Sequence, residues 1–276
     1  MKLAGLELKN PLMNGSGICS NFDMLKVWER SGVGAVVTKG TTVYENYGGS
    51  GVKATNPYHG LILNCMKNPS PGHKHFIMER EEYEFEIPLI NQLLGMDGKE
   101  FSFLARKTEK VCDAFELNVS CSHSNYGGYR IGFKTKVLKD VLKKTRKSTD
   151  KPIFVKLPYY SSDYEKLRDV VGVIEDTGMD GITSMNSVGA MDYSPELKRY
   201  IIIGGQSGHS IHHMSLFQVR NIRKLTKLPI IASGGIVGSY DVKRFEGVGA
   251  NAYQLGSGLA EYKTIDDFVK NVMKGL

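Results

Sequence analysis

The sequence predicts an α/β protein, a (β/α)₈ TIM barrel in which residues 1–276 form one domain. Three observations favour this fold: eight short β-branched runs, amphipathic helical segments after most of them, and polar residues at the ends of the runs. In a barrel all strands end at one face, so the polar ends converge there. A doubly wound sheet, the alternative, brings only some of them to one crevice.

The eight predicted strands cover residues 12–16, 35–39, 87–93, 114–119, 152–157, 181–186, 229–233 and 250–256. Side chains that can accept backbone hydrogen bonds precede three helical segments, and we predict N-caps at Asn21, Ser162 and Ser239. The segment 40–86 does not fit a single helix. It therefore predicts a loop or strand insertion over the C-terminal mouth of the barrel.

Length and composition are those of an ordinary globular chain. The 276 residues are 41% hydrophobic and 24% charged, which excludes disordered, collagen-like and coiled-coil proteins. The net charge of +7 is spread along the chain, and the densest basic run, 139–151, has the spacing of a solvent-facing helix. We therefore expect no nucleic-acid partner.

The cysteines and apolar runs bear on the compartment. The four cysteines form no CxxC pair and match no zinc-finger spacing, so we expect no disulfide framework. This cysteine usage is typical of a reducing compartment, and we expect a cytoplasmic protein. Residues 1–11 lack the apolar core of a signal peptide, and no run reaches the roughly 18 apolar residues of a membrane span.

Polar side chains at strand ends are the first functional signal. Lys39 and Lys156 each end an apolar run, where an ammonium group either enters a polar pocket or extends to solvent. Two such lysines in one barrel predict an anionic or electron-rich ligand. Asparagines follow or end apolar segments at Asn64, Asn91, Asn118 and Asn186. Because amides both donate and accept, this set predicts a planar, amide-rich ligand such as a pyrimidine or a flavin ring.

Glycine-rich stretches at 203–208, 233–236 and 256–258 are the second signal. The last two end strands seven and eight, where barrels build phosphate sites from bare backbone N–H groups. Neither stretch contains a GxxxxGK[ST] or GxGxxG element. The pattern therefore predicts a phosphate-bearing ligand held without a P-loop or dinucleotide motif.

Cys121 follows the fourth strand in a polar, glycine-containing loop. It is either a buried thiol or an acid–base group or nucleophile at the mouth, and the loop favours an exposed, mobile thiol. His209 and His213 share a predicted helical face, but no carboxylate accompanies them in the sequence. We therefore expect no metal site.

In order along the chain, these residues resemble the class 1 dihydroorotate dehydrogenases. The most specific segment is ELNVSC, residues 116–121, and TKGTT, VKLP, MNSVG, GGQSG, ASGGI and QLGSG also match in the family's order. The resemblance covers the whole chain and is greatest to the class 1B catalytic subunits. It implies an FMN-dependent oxidation of dihydroorotate to orotate in pyrimidine biosynthesis.

The resemblance also implies roles for individual residues. FMN contacts are implied for Gly15, Ser16, Lys39, Asn91, Asn118, Lys156, Ser187, Gly208, Gly234, Gly235, Gly256 and Ser257. Pyrimidine contacts are implied for Lys39, Asn64, Lys67, Asn118, His123, Asn186 and Ser187. Cys121 and Lys39 would be catalytic, with Cys121 taking the C5 proton while hydride leaves C6 for the flavin. Lys156 would stabilise the reduced flavin anion.

Two segments depart from the family pattern. The family's SCPN is here Ser120–Cys121–Ser122–His123, closer to the SCPH of dihydropyrimidine dehydrogenases, and its NSMGLPN is NCMKNPS at 64–70. Lys67 therefore either pairs with a substrate carboxylate or points outward. The alternatives are a dehydrogenase or reductase of another dihydropyrimidine, such as dihydrouracil, and an FMN-binding barrel without turnover.

The class 1B resemblance also implies partners. Class 1B enzymes pass electrons to NAD through a separate subunit that holds FAD and an iron–sulfur cluster. The four cysteines of this chain form no cluster motif of their own, so we expect such a subunit. The family further implies a homodimer.

Overall fold

Fourteen strands and nine α-helices are present in the computed structural model, which describes residues 1–49, 53–121 and 127–276. The strands are β1 (Lys2–Leu3), β2 (Leu6–Glu7), β3 (Leu12–Asn14), β4 (Val36–Val37), β5 (Ala54–Tyr58), β6 (Leu61–Asn64), β7 (Leu89–Leu93), β8 (Ala114–Asn118), β9 (Ile153–Lys156), β10 (Gly181–Thr183), β11 (Val188–Ser194), β12 (Arg199–Ser207), β13 (Ile230–Ser233) and β14 (Ala252–Leu255). The helices are α1 (Phe22–Arg30), α2 (His73–Glu81), α3 (Gly98–Thr108), α4 (Gly128–Phe133), α5 (Thr135–Arg146), α6 (Tyr164–Asp176), α7 (His212–Leu225), α8 (Ser239–Gly247) and α9 (Ile265–Met273). Within these ranges, no helix is both long enough and apolar enough to cross a membrane.

Eight parallel strands form the barrel, in the order β3-β14-β13-β10-β9-β8-β7-β4. The two outer strands of that order meet through a parallel bridge between Met13 and Ala35. The Asn14 side chain reinforces this seam, because it donates to Val37 O at 2.7 Å and accepts from Val37 N at 2.8 Å. The predicted (β/α)₈ barrel, with its eight strands, is therefore confirmed.

Two apolar layers hold the barrel together. Inside it, Leu3 and Leu6 of the β1–β2 hairpin pack with Phe154 at the end of the barrel away from the strand C-termini. Outside it, helix residues such as Trp28 and Phe101 pack against the strands and are fully buried. The hairpin thus fills the lower barrel with side chains, and only the carboxyl ends of the strands remain open for a ligand.

A four-stranded antiparallel sheet covers part of the mouth, in the order β11-β12-β6-β5. The β5–β6 pair lies in the predicted insertion 40–86, but the β11–β12 hairpin was not predicted. Gly204 and Gly205 belong to a stretch that the sequence marks only as glycine-rich. They lie within β12 because its backbone approaches β6 closely: a Cβ on Gly204 would lie 1.9 Å from Asn64 O.

Only one of three predicted helix caps is correct. Asn21 accepts from Met24 N at 3.1 Å and caps α1 as predicted. Ser162 does not cap α6, because the neighbouring Asp163 accepts from Lys166 N at 3.0 Å. Ser239 is the first residue of α8, and Gly238 precedes it as the N-cap.

Candidate active site

A cavity of about 520 Å³ lies at the carboxyl ends of the barrel strands, under the four-stranded sheet. Most residues that the sequence singled out line it. They are Gly15, Ser16, Lys39, Asn64, Asn118, Cys121, Lys156, Asn186, Ser187, Gly208, Gly234, Gly235, Gly256 and Ser257. The fold therefore brings the two lysines, three of the four asparagines, the cysteine and the glycine turns to one site.

The floor of the cavity carries a buried ammonium group. Lys156 ends β9 and is 5% exposed. Its Nζ donates to Gln254 Oε1 at 2.7 Å and lies 3.5 Å from Glu116 Oε1. Gln254 also lines the cavity, and the sequence analysis did not identify it or Glu116. Held in this way, Lys156 presents a fixed positive charge to whatever binds above it.

A chain of amides forms another part of the wall. Asn118 Nδ2 donates to Gln92 Oε1 at 3.2 Å, and Asn118 Oδ1 accepts from Ser120 Oγ at 2.8 Å. Asn186 Nδ2 donates to Ser120 Oγ at 3.0 Å. These bonds fix both asparagines, so their remaining donor and acceptor positions face the cavity in a defined arrangement.

Lys39 supplies a second ammonium group without a carboxylate partner. Among the described residues, no carboxylate oxygen lies within 4.0 Å of its Nζ. Burial lowers the pKa of Lys39 below its ordinary value. The nearby Cys19 does not neutralise it, because burial raises the pKa of that thiol to about 12. Lys39 therefore suits an anionic or electron-rich ligand.

The glycine turns after β13 and β14 form a cradle of bare backbone. Gly234 and Gly235 have φ values of +111° and +76°, which favour glycine. A Cβ on Gly235 would lie 2.5 Å from His212 Cα. After β14, Gly256 precedes a short 3₁₀ turn over Ser257–Glu261. Such turns expose backbone N–H groups to a phosphate.

A histidine cluster lies behind this cradle. His212 Nδ1 lies 3.1 Å from Gly235 O, and burial lowers the pKa of His212. His209, His212 and Asp241 offer ligand atoms within 4.8 Å of one another. The expectation that no carboxylate accompanies these histidines is therefore wrong. Asp241 also accepts from Val237 N and Gly238 N, and we assign the cluster to support of the cradle.

The turn at 66–68 forms the opposite rim. Lys67 and Asn68 both have left-handed backbone, with φ of +53° and +52°. Asn46 Nδ2 donates to both of their carbonyl oxygens, at 2.8 and 2.6 Å. Met66 and Asn68 line the cavity but Lys67 does not. Asn68 Nδ2 is buried and has no hydrogen-bond partner in the described part of the chain.

Two other predicted contacts, Asn91 and His123, are not among the described residues that line the cavity. The Asn91 side chain does not line the cavity, since it accepts from Thr38 and Thr41 and donates to Thr108 Oγ1 at 2.9 Å. Its neighbour Gln92 takes that place in the wall. His123, predicted to contact the pyrimidine, lies outside the described residues.

The predicted base, Cys121, lies at the edge of that undescribed segment. It lines the cavity but is buried, with 4% of its surface exposed, so the expectation of an exposed thiol is wrong. Its carbonyl oxygen accepts from Tyr129 N at 3.1 Å. A Cβ on Gly128 would approach that oxygen to 2.6 Å, so the glycine allows α4 to pack against the cysteine backbone. These contacts join the backbone of Cys121 to the first turn of α4.

Comparison with known proteins identifies the family of the chain. The model of the family described as dihydroorotate dehydrogenase matches residues 1–276. The chain belongs to the dihydroorotate dehydrogenase family. Members of this family are flavin-dependent oxidoreductases, and this chain is one of them. The resemblance stated from the sequence motifs is thereby confirmed.

Individual relatives and a solved structure extend this finding. Two relatives are named dihydroorotate dehydrogenase B (NAD⁺), catalytic subunit. That of Pyrococcus abyssi is 33% identical over 99% of this chain and 93% of its own, and that of Archaeoglobus fulgidus 36% over 93% and 86%. The crystal structure of DHODH from Eimeria tenella with ferulenol has a TM-score of 0.87 and covers 99% of this chain and 82% of that chain. Its 19% identity supports the barrel fold alone.

Proposed function

We propose that this protein oxidises dihydroorotate to orotate with bound FMN, as a cytoplasmic step of pyrimidine biosynthesis. The observation that supports the proposal is the set of residues that line one cavity. Cys121 and Lys39 share it with Lys156 and with the glycine cradle, so a base, a pyrimidine site and a flavin site adjoin. We take residues 1–276 as one FMN-binding domain.

The residues present fit FMN. The cradle of Gly234, Gly235, Gly256 and Ser257 suits its phosphate because its three glycines leave backbone N–H groups uncovered and Ser257 adds only a small hydroxyl donor. Lys156 suits the electron-rich edge of the isoalloxazine, where its ammonium favours added negative charge. A flavin bound there supplies a hydride acceptor to the reaction.

The chemistry that we assign to the chain is proton removal and charge stabilisation. Oxidation of dihydroorotate removes a proton from C5 and a hydride from C6. Cys121 takes the C5 proton on Sγ as a thiolate base. Because C5 adjoins the C4 carbonyl, negative charge moves to that oxygen, and the Lys39 ammonium stabilises it. Asn64, Asn118 and Asn186 bind the amide edges of the ring.

Another dihydropyrimidine, such as dihydrouracil, is the second candidate substrate. It lacks the carboxylate of dihydroorotate, so the rim at 66–68 discriminates between the two. The buried, unpartnered Asn68 Nδ2 supports dihydroorotate, since a buried donor without a partner costs about 1–3 kcal/mol and a carboxylate oxygen would accept from it. Lys67 lies outside the cavity wall and supports neither candidate.

We also propose partners. Relatives named as NAD⁺-dependent catalytic subunits support a separate subunit that carries FAD and an iron–sulfur cluster and passes electrons to NAD. Among the described residues, no cysteine belongs to a group of side chains placed to hold a metal ion, so a cluster is expected on the partner. We further propose a homodimer, which light scattering of the purified chain tests.

Anaerobic reduction of the purified holoprotein tests the proposal. Dihydroorotate is expected to bleach the visible flavin spectrum within seconds to minutes, whereas dihydrouracil at the same concentration leaves it unchanged. Bleaching by dihydrouracil alone would transfer the assignment to the second candidate. Bleaching by neither would overturn the enzymatic proposal, and a chain that binds no FMN after reconstitution would overturn the flavin site.

A further inference from the structure

Glu116 lies beneath the floor of the cavity and touches both of its sides. It is 1% exposed and does not itself line the cavity. Its Oε1 accepts from Gln92 Nε2 at 2.6 Å and lies 3.5 Å from Lys156 Nζ. Its Oε2 accepts from Thr183 Oγ1 at 2.6 Å and from Gln254 Nε2 at 2.5 Å. One buried carboxylate therefore joins four strands below the ligand.

The carboxylate determines which way the neighbouring amides point. An ionised carboxylate only accepts hydrogen bonds, so Gln92 and Gln254 both turn their NH₂ groups toward it. Their oxygens consequently point the other way. Gln254 Oε1 accepts from Lys156, and Gln92 Oε1 accepts from Asn118 Nδ2 at 3.2 Å. The Glu116 carboxylate, which lies below the cavity, therefore determines which amide atoms of Gln92 and Gln254 face Asn118 and Lys156.

The carboxylate also opposes the charge of Lys156. The two groups are almost fully buried, where opposite charges 3.5 Å apart interact more strongly than in water. Without Glu116, the ammonium group would attract negative charge in the cavity with its full strength. With Glu116, part of that attraction is balanced from behind.

We infer that Glu116 is a positioning residue of the flavin site, which orients Gln92 and Gln254 and moderates the attraction of Lys156 for negative charge on the flavin. The inference rests on the proposed flavin binding. It assigns to Glu116 two separable effects. One is electrostatic and acts at Lys156, and the other is directional and acts through Gln92 on Asn118.

Sulfite binding to the holoprotein tests the electrostatic effect. Sulfite adds its lone pair to N5 of oxidised flavin, forming an S–N bond, and the ring takes up the negative charge and loses its visible absorbance. Glu116→Gln keeps the shape but removes the negative charge near Lys156. We expect its sulfite affinity to rise about tenfold or more, because the anionic adduct meets a less balanced ammonium. An unchanged or weaker affinity would overturn the inference.

Matched variants separate charge from structure. Thr183→Val removes a neutral hydrogen bond to the same carboxylate and leaves its charge, so sulfite affinity is expected to stay within about threefold of wild type. Glu116→Asp retains the charge and is expected to behave in the same way. If Thr183→Val raised sulfite affinity as much as Glu116→Gln, the effect would be structural and the inference would fail.

If Glu116→Gln does not retain flavin, a variant that is expected to change sulfite affinity in the opposite direction provides the test. Lys156→Gln leaves the negative charge of Glu116 without the ammonium that balances it, and we expect sulfite affinity to fall about tenfold. No fall would contradict the electrostatic effect. These titrations contain no pyrimidine, so a wild-type protein that failed to oxidise dihydroorotate would overturn the proposed function while leaving this inference standing.

The directional effect has its own readout. Glu116→Gln presents a donor as well as an acceptor, so Gln92 no longer has one preferred orientation. Orotate binding, followed as a shift of the visible flavin band, is expected to weaken about tenfold in this variant. Unchanged orotate affinity would exclude transmission through Gln92 and Asn118.

Discussion

The two ends of the cavity are built in different ways. At the cradle end, backbone turns at 234–235 and 256–257 offer N–H groups, and the geometry of the 234–235 turn depends on glycine. At the rim end, the cavity is lined by side chains, including those of Cys121, Asn68 and Asn186. The cradle matches the family pattern, whereas the rim segments 64–70 and 120–123 depart from it.

This difference indicates that cofactor retention and substrate choice are separable in this barrel. The turn at 234–235 tolerates little change, because a Cβ added at Gly234 or Gly235 meets Ile211 or His212 within 3.1 Å. A rim of side chains can change its ligand by single substitutions while the barrel stays intact. Damage to one end should therefore leave the other functional.

The largest expected effect comes from the rim. Cys121→Ala is expected to slow flavin reduction by dihydroorotate about 10²–10⁴-fold while flavin stays bound. Anaerobic stopped-flow absorbance measures it. Because thiolate and not thiol is the base, the wild-type rate should rise with pH and the variant rate should be flat. Loss of flavin in this variant would contradict the separation of the two ends.

Cys112 supplies the control for that substitution. It is buried outside the cavity, and burial raises its pKa to about 12, so it stays a thiol. Cys112→Ala is expected to keep the rate of flavin reduction within about twofold and to lose only some stability.

The converse effect is expected at the cradle. Gly235→Ala places a Cβ about 2.5 Å from His212 Cα on a backbone with φ of +76°, so the turn must shift. Overpacking of this kind costs about 1–3 kcal/mol, and we expect flavin affinity to fall about 10–100-fold. Flavin fluorescence on titration of the apoprotein measures it. Gly247→Ala, with no atom within 4 Å of its Cβ, is the control and should bind flavin normally.

A smaller effect sharpens the description of the rim. Asn68→Ala is expected to raise KM for dihydroorotate about tenfold, because a charge-assisted bond to the carboxylate is lost. Lys67→Ala is the matched control and should leave KM within about twofold, since Lys67 does not line the cavity. Steady-state kinetics with an artificial acceptor distinguish them. Equal effects of the two substitutions would contradict the assignment of Asn68.

The smallest effect concerns stability. Folding lowers the pKa of Lys39, so the unfolded chain binds more protons and wild-type stability rises as pH approaches the ordinary lysine value. Lys39→Met removes a partly buried ammonium that has no carboxylate partner in the described ranges, and should stabilise the fold by about 1 kcal/mol at neutral pH. Urea unfolding at neutral and alkaline pH measures both statements. A less stable variant would show that Lys39 is compensated in the folded protein.

The barrel could be predicted from the sequence because each strand is a short apolar run followed by a polar end. Site residues at strand ends followed from the same rule, since all strands of a barrel end at one face. In β7 this rule does not identify which residue faces the cavity. All five of its residues are buried, so alternation of polarity could not tell that Gln92, and not Asn91, faces the cavity.

Other features depended on contacts that sequence spacing does not show. The absence of Lys67 from the cavity wall goes with two successive left-handed residues held by Asn46, twenty-one positions earlier. Glu116 gives no signal in the sequence beyond its place in ELNVSC, because its importance comes from the four other strands that meet around it. The β11–β12 hairpin was not predicted, because the glycines of β12 are required by its close approach to the distant strand β6.

The sheet over the mouth has a consequence for protein engineering. Its four strands come from two stretches, 54–64 and 188–207, that pair edge to edge through Asn64 and Gly205. A chimera that imported only one stretch from a relative would match the new strand with a foreign neighbour. Exchange of both stretches together preserves their register. The two hairpins are therefore one recombination unit, although more than a hundred residues separate them along the chain.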